Sequence, residues 1–99
     1  MTSRKAEASV LMTNPSGLHA RPAVRLTKLA KTFRARVQIR AAGRPEWVDA
    51  KSIVQVMALK TPGNTLLSIK AEGDDAETAV ATLVALIERR FDDAGDDAA

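Results

Sequence analysis

The chain has 99 residues, a net charge of +3 and no cysteine. That length predicts a single domain, and 45% hydrophobic residues are enough for an ordinary core. The cysteine count excludes disulfides, thiolate metal sites and thiol catalysis. No apolar run is long enough for a signal peptide or a membrane span, so we expect a soluble, cytoplasmic protein without membrane insertion.

The positive charge is concentrated in the first half of the chain, which favours an anionic partner. A nucleic-acid-binding domain is one reading of that charge, but only 3% of the residues are aromatic and no nucleic-acid motif is present. The ending DDAGDDAA is acidic and small, so we expect residues 92–99 to be a disordered tail. Residues 1–7 are expected to be a flexible N-terminus and residues 8–91 the folded domain.

The first half of the chain predicts the order strand, helix, strand, strand. EASVLMT and RVQIRA alternate as strands, NPSG forms a turn, and EWVDA is a short hairpin partner of RVQIRA. Residues 20–33 between the first two strands predict an amphipathic helix, with Pro22 in its first turn. The apolar stripe of this helix consists of Ala23, Leu26, Ala30 and Phe33.

The second half predicts helix, strand, helix. SIVQVMAL suits either a strand or a helix, and we favour a short helix that Ser52 caps and that buries Val56 and Leu59. TLLSIKAEG predicts a strand. The last helix begins at a capping box of Asp74 and Glu77. Its apolar stripe consists of Ala76, Val80, Leu83, Ile87 and Phe91.

These patterns together predict an α+β fold with two layers. Two longer amphipathic helices need one apolar face of a sheet to cover, and a two-layer sandwich provides it. In the last helix, Arg89 and Arg90 are expected in the final turn, where the helix dipole favours cations.

The single histidine, His19, stands in the stretch NPSGLHARPAVRL at the start of the first helix. There the first N–H groups lack intrahelical partners and the dipole end is positive, so phosphate binds readily. Arg21 can offer a planar fork to phosphate oxygens, and Gly17 lets the backbone approach closely. A neutral imidazole at this place could accept a phosphoryl group. The alternative reading is a solvated histidine in a turn.

Other chemistry finds little support in the sequence. One histidine without cysteine does not complete a metal site, so neither a metal nor another cofactor is predicted. A hydrolytic triad is equally unsupported, because no second histidine and no nucleophile elbow are present.

SGLHARPA closely resembles the active-site segment of the HPr family, the histidine-containing phosphocarriers of the bacterial phosphotransferase system. DAKSIVQVMAL is similar to the second signature of the family, and AEGDDAETAVATLVALI to its last strand end and closing helix. The resemblance covers residues 8–91. It implies an open-faced sandwich (βαββαβα), in which three helices cover one side of a four-stranded antiparallel sheet.

The resemblance implies a phosphoryl carrier rather than an enzyme with its own small-molecule substrate. His19 would take a phosphoryl group on Nδ1 from enzyme I and pass it to a histidine of an EIIA-type protein. Arg21 would steady that group, together with the backbone N–H groups of Ala20 and Arg21. We expect a monomer whose partners do not include nucleic acid.

The resemblance also implies a regulatory site and a docking surface. Ser52 matches the serine that an HPr kinase/phosphorylase modifies in many members, and the alternative is a simple helix cap. A phosphate there adds a charge of about −1.5 to −2, which could repel an acidic partner. The residues that match the docking surface are the apolar Ile53, Val54 and Met57 and the basic Arg21, Arg25 and Lys28.

Some features resemble the nitrogen-related branch of the family, often called NPr. Residues 36–52 form a slightly longer segment than in many sugar-system members, and the ending ALIERRFDD is also similar to that branch. The pathway therefore stays open between sugar uptake and nitrogen-type regulation. A second hypothesis is a regulatory binding module, in which Ser52 and the apolar patch matter and the chemistry of His19 is incidental.

Overall fold

The computed structural model describes residues 4–15 and 17–92. Their strands are β1 (Lys5–Met12), β2 (Arg36–Ala41), β3 (Val48–Asp49) and β4 (Thr65–Glu72). Their helices are α1 (Ala20–Ala30), α2 (Ile53–Ala58) and α3 (Ala76–Glu88), followed by a 3-10 turn at Arg90–Asp92. The predicted element order is confirmed. All strand pairs are antiparallel, and the order across the sheet is β1-β4-β2-β3.

The sheet has one covered and one open face, because successive side chains of a strand point to opposite sides. On the covered face, Val37, Ile39 and Leu67 are fully buried. They share one hydrophobic core with the inner faces of the three helices. The predicted α+β open-faced sandwich is therefore confirmed. No helix within the described ranges combines the length and apolar character needed to cross a membrane.

The open face carries polar, charged and partly exposed apolar side chains. Leu11 of β1 pairs with Leu66 of β4, and both are about half exposed. The guanidinium carbon of Arg40 lies 4.8 Å, and the ammonium nitrogen of Lys70 4.1 Å, from the ring centroid of Trp47. These two cation–π contacts hold the β2–β3 loop against the open face, at about 0.5–1 kcal/mol each for exposed pairs.

Helix α1 ends at Ala30, so the helix predicted over residues 20–33 was too long. The N–H groups of Thr32 and Phe33 donate to carbonyls three residues earlier, at 3.0 and 3.2 Å, which tightens the chain into a turn. Two distant side chains then hold the segment that follows. The Lys51 ammonium donates to the carbonyl of Phe33 at 2.7 Å, and the Asp75 carboxylate accepts from the backbone after it. Tertiary contacts outweigh the helical pattern at this point.

Helix α3 begins without the predicted capping box. Its N-cap is Asp75 rather than Asp74, and the Asp75 side chain makes no capping hydrogen bond. The carboxylate instead accepts the N–H groups of Arg34 and Ala35, at 2.9 and 2.8 Å. These bonds, the one from Arg34 first, lower the pKa of Asp75 below its ordinary value. The carboxylate thus joins the start of α3 to the loop that leaves α1.

The chain beyond α3 folds back on the helices. Because α3 ends at Glu88, the prediction that Arg89 and Arg90 lie in its last turn was wrong. Arg90 and Phe91 have positive φ angles of 56° and 59°, and this reversal buries the Phe91 ring completely. The turn packs against α1 and α3.

The folded domain begins earlier in the chain than predicted. Strand β1 begins at Lys5, so the sheet takes in part of the N-terminus predicted to be flexible over residues 1–7. Residues 1–3 lie outside the described part of the chain. The acidic tail predicted over residues 92–99 also lies outside it, apart from the backbone of residue 92.

Candidate functional site

Two turns pack backbone against backbone just before α1. The first leads from β1 to α1, and the second, around residues 61–63, leads from α2 to β4. The N–H of Leu18 donates to the carbonyl of Thr61 at 2.9 Å. Within the first turn, the Asn14 side-chain amide donates to the Gly17 carbonyl at 2.9 Å. These bonds fix the path of the chain on its way to His19.

Glycines make this close approach possible. Gly17 has a φ of +67°, and a Cβ on it would collide with the carbonyl oxygen of Thr61. A Cβ on Gly63 would lie 2.5 Å from the carbonyl oxygen of Asn14. Real Cβ atoms do not approach oxygen this closely, so both turns need glycine at their contact. The sequence indicated the need for Gly17, but its contact partner lies more than forty residues further along the chain.

His19 occupies the N-cap position of α1, as the sequence predicted. Its backbone is extended, with φ at −102°, and its carbonyl accepts the N–H of Ala23 at 3.0 Å. The imidazole makes no capping hydrogen bond and is exposed. The neighbouring Leu18 is only 1% exposed and anchors the backbone in the core. The structure therefore holds the main chain in place and presents the ring to solvent.

Ala20 and Arg21 are the first two residues of α1, and both are exposed. N–H groups in the first turn of a helix have no carbonyl one turn earlier to bind, and they carry the positive end of the helix dipole. The third residue, Pro22, has no N–H and fits this turn without cost. No acidic residue lies in the turn to oppose an anion. This helix start can hold a phosphate-sized anion beside the His19 ring. Arg21 is the second residue of α1, and its guanidinium can donate to the same anion.

Ser52 caps α2, and the preference for a helix over a strand in this segment is confirmed. Its hydroxyl accepts the N–H of Gln55 at 3.2 Å. The Gln55 side chain in turn accepts the N–H of Asp49 at 3.0 Å, just before the helix. This second bond was not predicted, because in a capping box Gln55 would accept the N–H of Ser52, which here donates to the carbonyl of Asp49 at 3.1 Å. As predicted, Val56 and Leu59 are buried.

The predicted docking residues lie on two helices that contact each other, α1 and α2. On α2, Val54 is 75% and Met57 40% exposed, whereas Ile53 is partly buried against the core. On α1, Arg21 and Lys28 are exposed and Arg25 is partly buried. Val24, which is 50% exposed between them, was missed. Its signal is an apolar residue on the polar face of an amphipathic helix.

Fold and site together define a small open-faced sandwich with an exposed histidine at a helix start. The chain matches the family model described as the PTS HPr component phosphorylation site over residues 6–89. It is 34% identical to the phosphocarrier protein HPr of Xylella fastidiosa (strain 9a5c), covering 88% of this chain and 96% of that protein. It is 41% identical to the phosphocarrier protein HPr of Cupriavidus necator, covering 79% of this chain and 85% of that protein.

A solved structure shows the same likeness. The crystal structure of HPr-C-His from Thermoanaerobacter tengcongensis matches with a TM-score of 0.82 at 36% identity, covering 88% of this chain and 96% of that one. The chain therefore belongs to the HPr family of the phosphotransferase system. Its general role is that of a phosphocarrier.

Proposed function

We propose that His19 carries the phosphoryl group, which it accepts from enzyme I and passes to a histidine of an EIIA-type protein. The observation that carries the proposal is the exposed His19 ring at the N-terminus of α1, with a side chain that takes no part in capping the helix. The ring is available for chemistry, because it neither caps the helix nor packs into the core.

The transfer balances without a cofactor. The neutral His19 ring, with its proton on Nε2, attacks the phosphorus with the lone pair of Nδ1. The bond between the phosphorus and the donor group of enzyme I breaks, and its electron pair returns to that donor group, while the His19 proton stays on Nε2. In the second step phosphorylated His19 is the donor, and the acceptor histidine of the EIIA-type protein attacks the phosphorus. The helix N-terminus and the Arg21 guanidinium stabilise the negative charge of the phosphoryl group in both steps.

The test measures transfer of isotopically labelled phosphate to the chain, with phosphoenolpyruvate as its source. Purified enzyme I of the sugar type and of the nitrogen type is used in parallel reactions. We expect an acid-labile label on the wild-type chain and none on His19→Ala, because phosphohistidine hydrolyses in acid. The relative rates with the two enzymes assign the pathway. Circular dichroism shows whether the variant is folded. A label that persists in His19→Ala, or no label with either enzyme, would overturn the proposal.

Two adjoining helices supply the partner surface in this proposal. The exposed side chains of Val54 and Met57 on α2 offer apolar contact beside the basic side chains of α1. This combination suits a transient complex with an acidic protein surface, because opposite charges speed encounter and a small apolar centre limits lifetime. The protein works as a monomer in the cytoplasm.

Phosphorylation of Ser52 by an HPr kinase/phosphorylase is the regulatory part of the proposal. The hydroxyl already accepts an N–H of α2, so a phosphate at the same place keeps the cap and adds negative charge beside Val54. We expect Ser52→Asp to unfold like the wild type but to raise the KM for phospho-enzyme I. Ser52→Ala, which loses the cap, is expected to lower the free energy of unfolding by about 1 kcal/mol. An unchanged KM in Ser52→Asp would contradict this role.

A further inference from the structure

We infer that the acidic segment 92–99 binds the basic surface of α1 in the same chain and competes there with an acidic protein partner. The inference rests on the proposed function, because it concerns the surface that the proposal assigns to the partner. The family match ends at residue 89, so the common role of the family does not account for this segment.

The basic surface is defined by four cations, namely Arg21, Arg25 and Lys28 on α1 and Arg89 just after the end of α3. A shallow depression on α1 is lined by Arg21, Val24, Arg25 and Lys28. A groove between α1 and α3 continues it and is lined by Arg25, Lys28, Leu29, Thr32, Leu86 and Arg89. The sequence has no acidic residue between Glu7 and Glu46, so the charged side chains of α1 are all positive.

The chain leaves the described structure beside this surface. The positive φ angles of Arg90 and Phe91 turn it back after α3, and the buried Phe91 ring anchors the reversal. The turn packs against α1. Arg90 Nε also donates to Thr13 Oγ1 at 3.2 Å, at the strand end that leads toward His19. The segment that follows therefore starts next to α1.

The length and the charge of segment 92–99 both fit the basic surface. Residues 93–99 can span up to about 25 Å when extended, whereas the eleven residues of α1 measure about 16 Å. The segment 92–99 contains four aspartates, which match the four cations of the basic surface. Its other residues are alanine and glycine, so it has no apolar side chain to bury. Charge alone holds the contact, which makes it weak and sensitive to salt.

Such a contact works as an internal competitor. When a segment covers its surface for half to four-fifths of the time, the apparent affinity of a competing ligand falls about two- to fivefold. Salt of about 1 M shortens the screening length to about 3 Å and releases an exposed contact of this kind. The segment thereby favours partners whose acidic surface binds strongly enough to displace it.

The first experiment detects the contact without any phosphorylation. A nitroxide is attached to Ala98→Cys, since the sequence has no other cysteine. We expect it to broaden the backbone amide signals of Arg25 and Lys28 far more than those of Arg40 and Lys70 on the open face. The difference should disappear in 1 M salt. Equal broadening of the two pairs, or a difference that survives the salt, would overturn the inference.

The second experiment measures the competition. In the tail variant the four aspartates of residues 92–99 become asparagine, and we expect its KM for phospho-enzyme I to be about two- to fivefold below wild type at low salt. A matched control makes the same change in net charge elsewhere, at exposed positions. It combines Glu7→Gln, Glu46→Gln, Glu72→Gln and Glu77→Gln.

The control variant and the salt series separate the explanations. We expect the control to keep a KM close to wild type, and the advantage of the tail variant to vanish at 1 M salt. An equal fall of KM in both variants would show an effect of net charge only and overturn the inference. If enzyme I phosphorylates none of the three proteins, the proposed function fails, while the nitroxide experiment still decides the contact.

Discussion

At the scale of single residues, the site combines a fixed backbone with a histidine side chain that is exposed to solvent. Leu18 is buried and its N–H is bonded across to Thr61, whereas the next residue, His19, is exposed. A transient phosphoryl acceptor needs both properties. The partner must reach the ring, and the ring must stand at a constant place relative to the helix N-terminus.

Arg21→Gln tests the guanidinium at this site. In the proposed function, the change removes charge-assisted hydrogen bonds to the phosphoryl group, each of which is worth about 1.5–3 kcal/mol. We expect the rate of transfer within the complex to fall by about tenfold to a hundredfold, measured by rapid quench at saturating enzyme I. Lys28→Gln makes the same charge change two turns further along α1 and should alter KM alone. Equal losses of rate in the two variants would contradict a direct role for Arg21.

Gly17→Ala tests the contact between the two turns, with Gly43→Ala as the matched control. Both glycines have positive φ angles, +67° and +84°, but an added Cβ on Gly43 meets nothing within 4 Å. Strain alone should cost Gly43→Ala about 1–2 kcal/mol. The collision with Thr61 should bring the cost for Gly17→Ala to about 2–5 kcal/mol. Urea unfolding measures both, and equal costs would show that the contact is unimportant.

The sequence predicted the local features of this site because local signals produce them. The turn residues, the proline in the first helical turn and the lone histidine all lie between residues 14 and 22. The partner of Gly17 could not be predicted in this way, because the second turn comes close only when the sheet and α2 have formed. The exposure of Val24 and the partial burial of Ile53 depend equally on how α1 and α2 pack.

At the scale of elements, long-range hydrogen bonds set the helix boundaries more than local caps do. The three longer strands were predicted well because their alternation shows directly which side chains are buried, whereas β3 is limited to Val48–Asp49 and is shorter than the predicted EWVDA. The end of α1 and the start of α3 were not predicted well, since one carboxylate joins them across forty residues of sequence. A helical pattern continues past Ala30, but nothing in that pattern reveals that Asp75 and Lys51 hold the following loop.

Asp75→Asn tests this link through its pH dependence. Hydrogen bonds from the loop lower the pKa of Asp75 in the folded state, so the ionised carboxylate stabilises the fold. That stabilisation is complete above the ordinary aspartate pKa of about 3.9 and is lost as pH falls through the lower folded pKa. We expect Asp75→Asn to be less stable than wild type from pH 5 upward, and the gap to close in acid.

Chemical denaturation between pH 2 and pH 7 measures this gap. Asp74→Asn removes the same charge from the neighbouring residue and leaves both hydrogen bonds of Asp75 intact, so its loss at neutral pH should be smaller. A gap for Asp75→Asn that stays constant into acid would contradict the assigned role of the carboxylate.

At the scale of the whole molecule, the layers separate two chemical surfaces. The helix side carries the His19 site, the apolar patch of α2 and the basic surface of α1. The open face of the sheet carries a mixture of both charges and the half-exposed Leu11 and Leu66. The acidic partner that we propose would therefore be attracted to the helix side, and its association should slow as salt increases.

Val54→Ser tests which face the partner uses. The side chain is 75% exposed, so the free energy of unfolding should change by no more than about 0.5 kcal/mol. Loss of its apolar contact in the complex should cost about 1 kcal/mol, which is about a fivefold rise in KM. Leu66→Ser makes a similar change on the open face and should leave KM unchanged. A rise of KM for Leu66→Ser alone would assign docking to the sheet.

The position of Trp47 gives the protein a spectroscopic probe of its own. It is the only tryptophan in the sequence, and its ring lies under Arg40 and Lys70 on the open face, with the sheet between it and the helices. Its fluorescence will follow unfolding of the sheet and will not respond to the arrival of a phosphoryl group on His19. Emission of the isolated chain can therefore report the stability of every variant, phosphorylated or not, without an added dye.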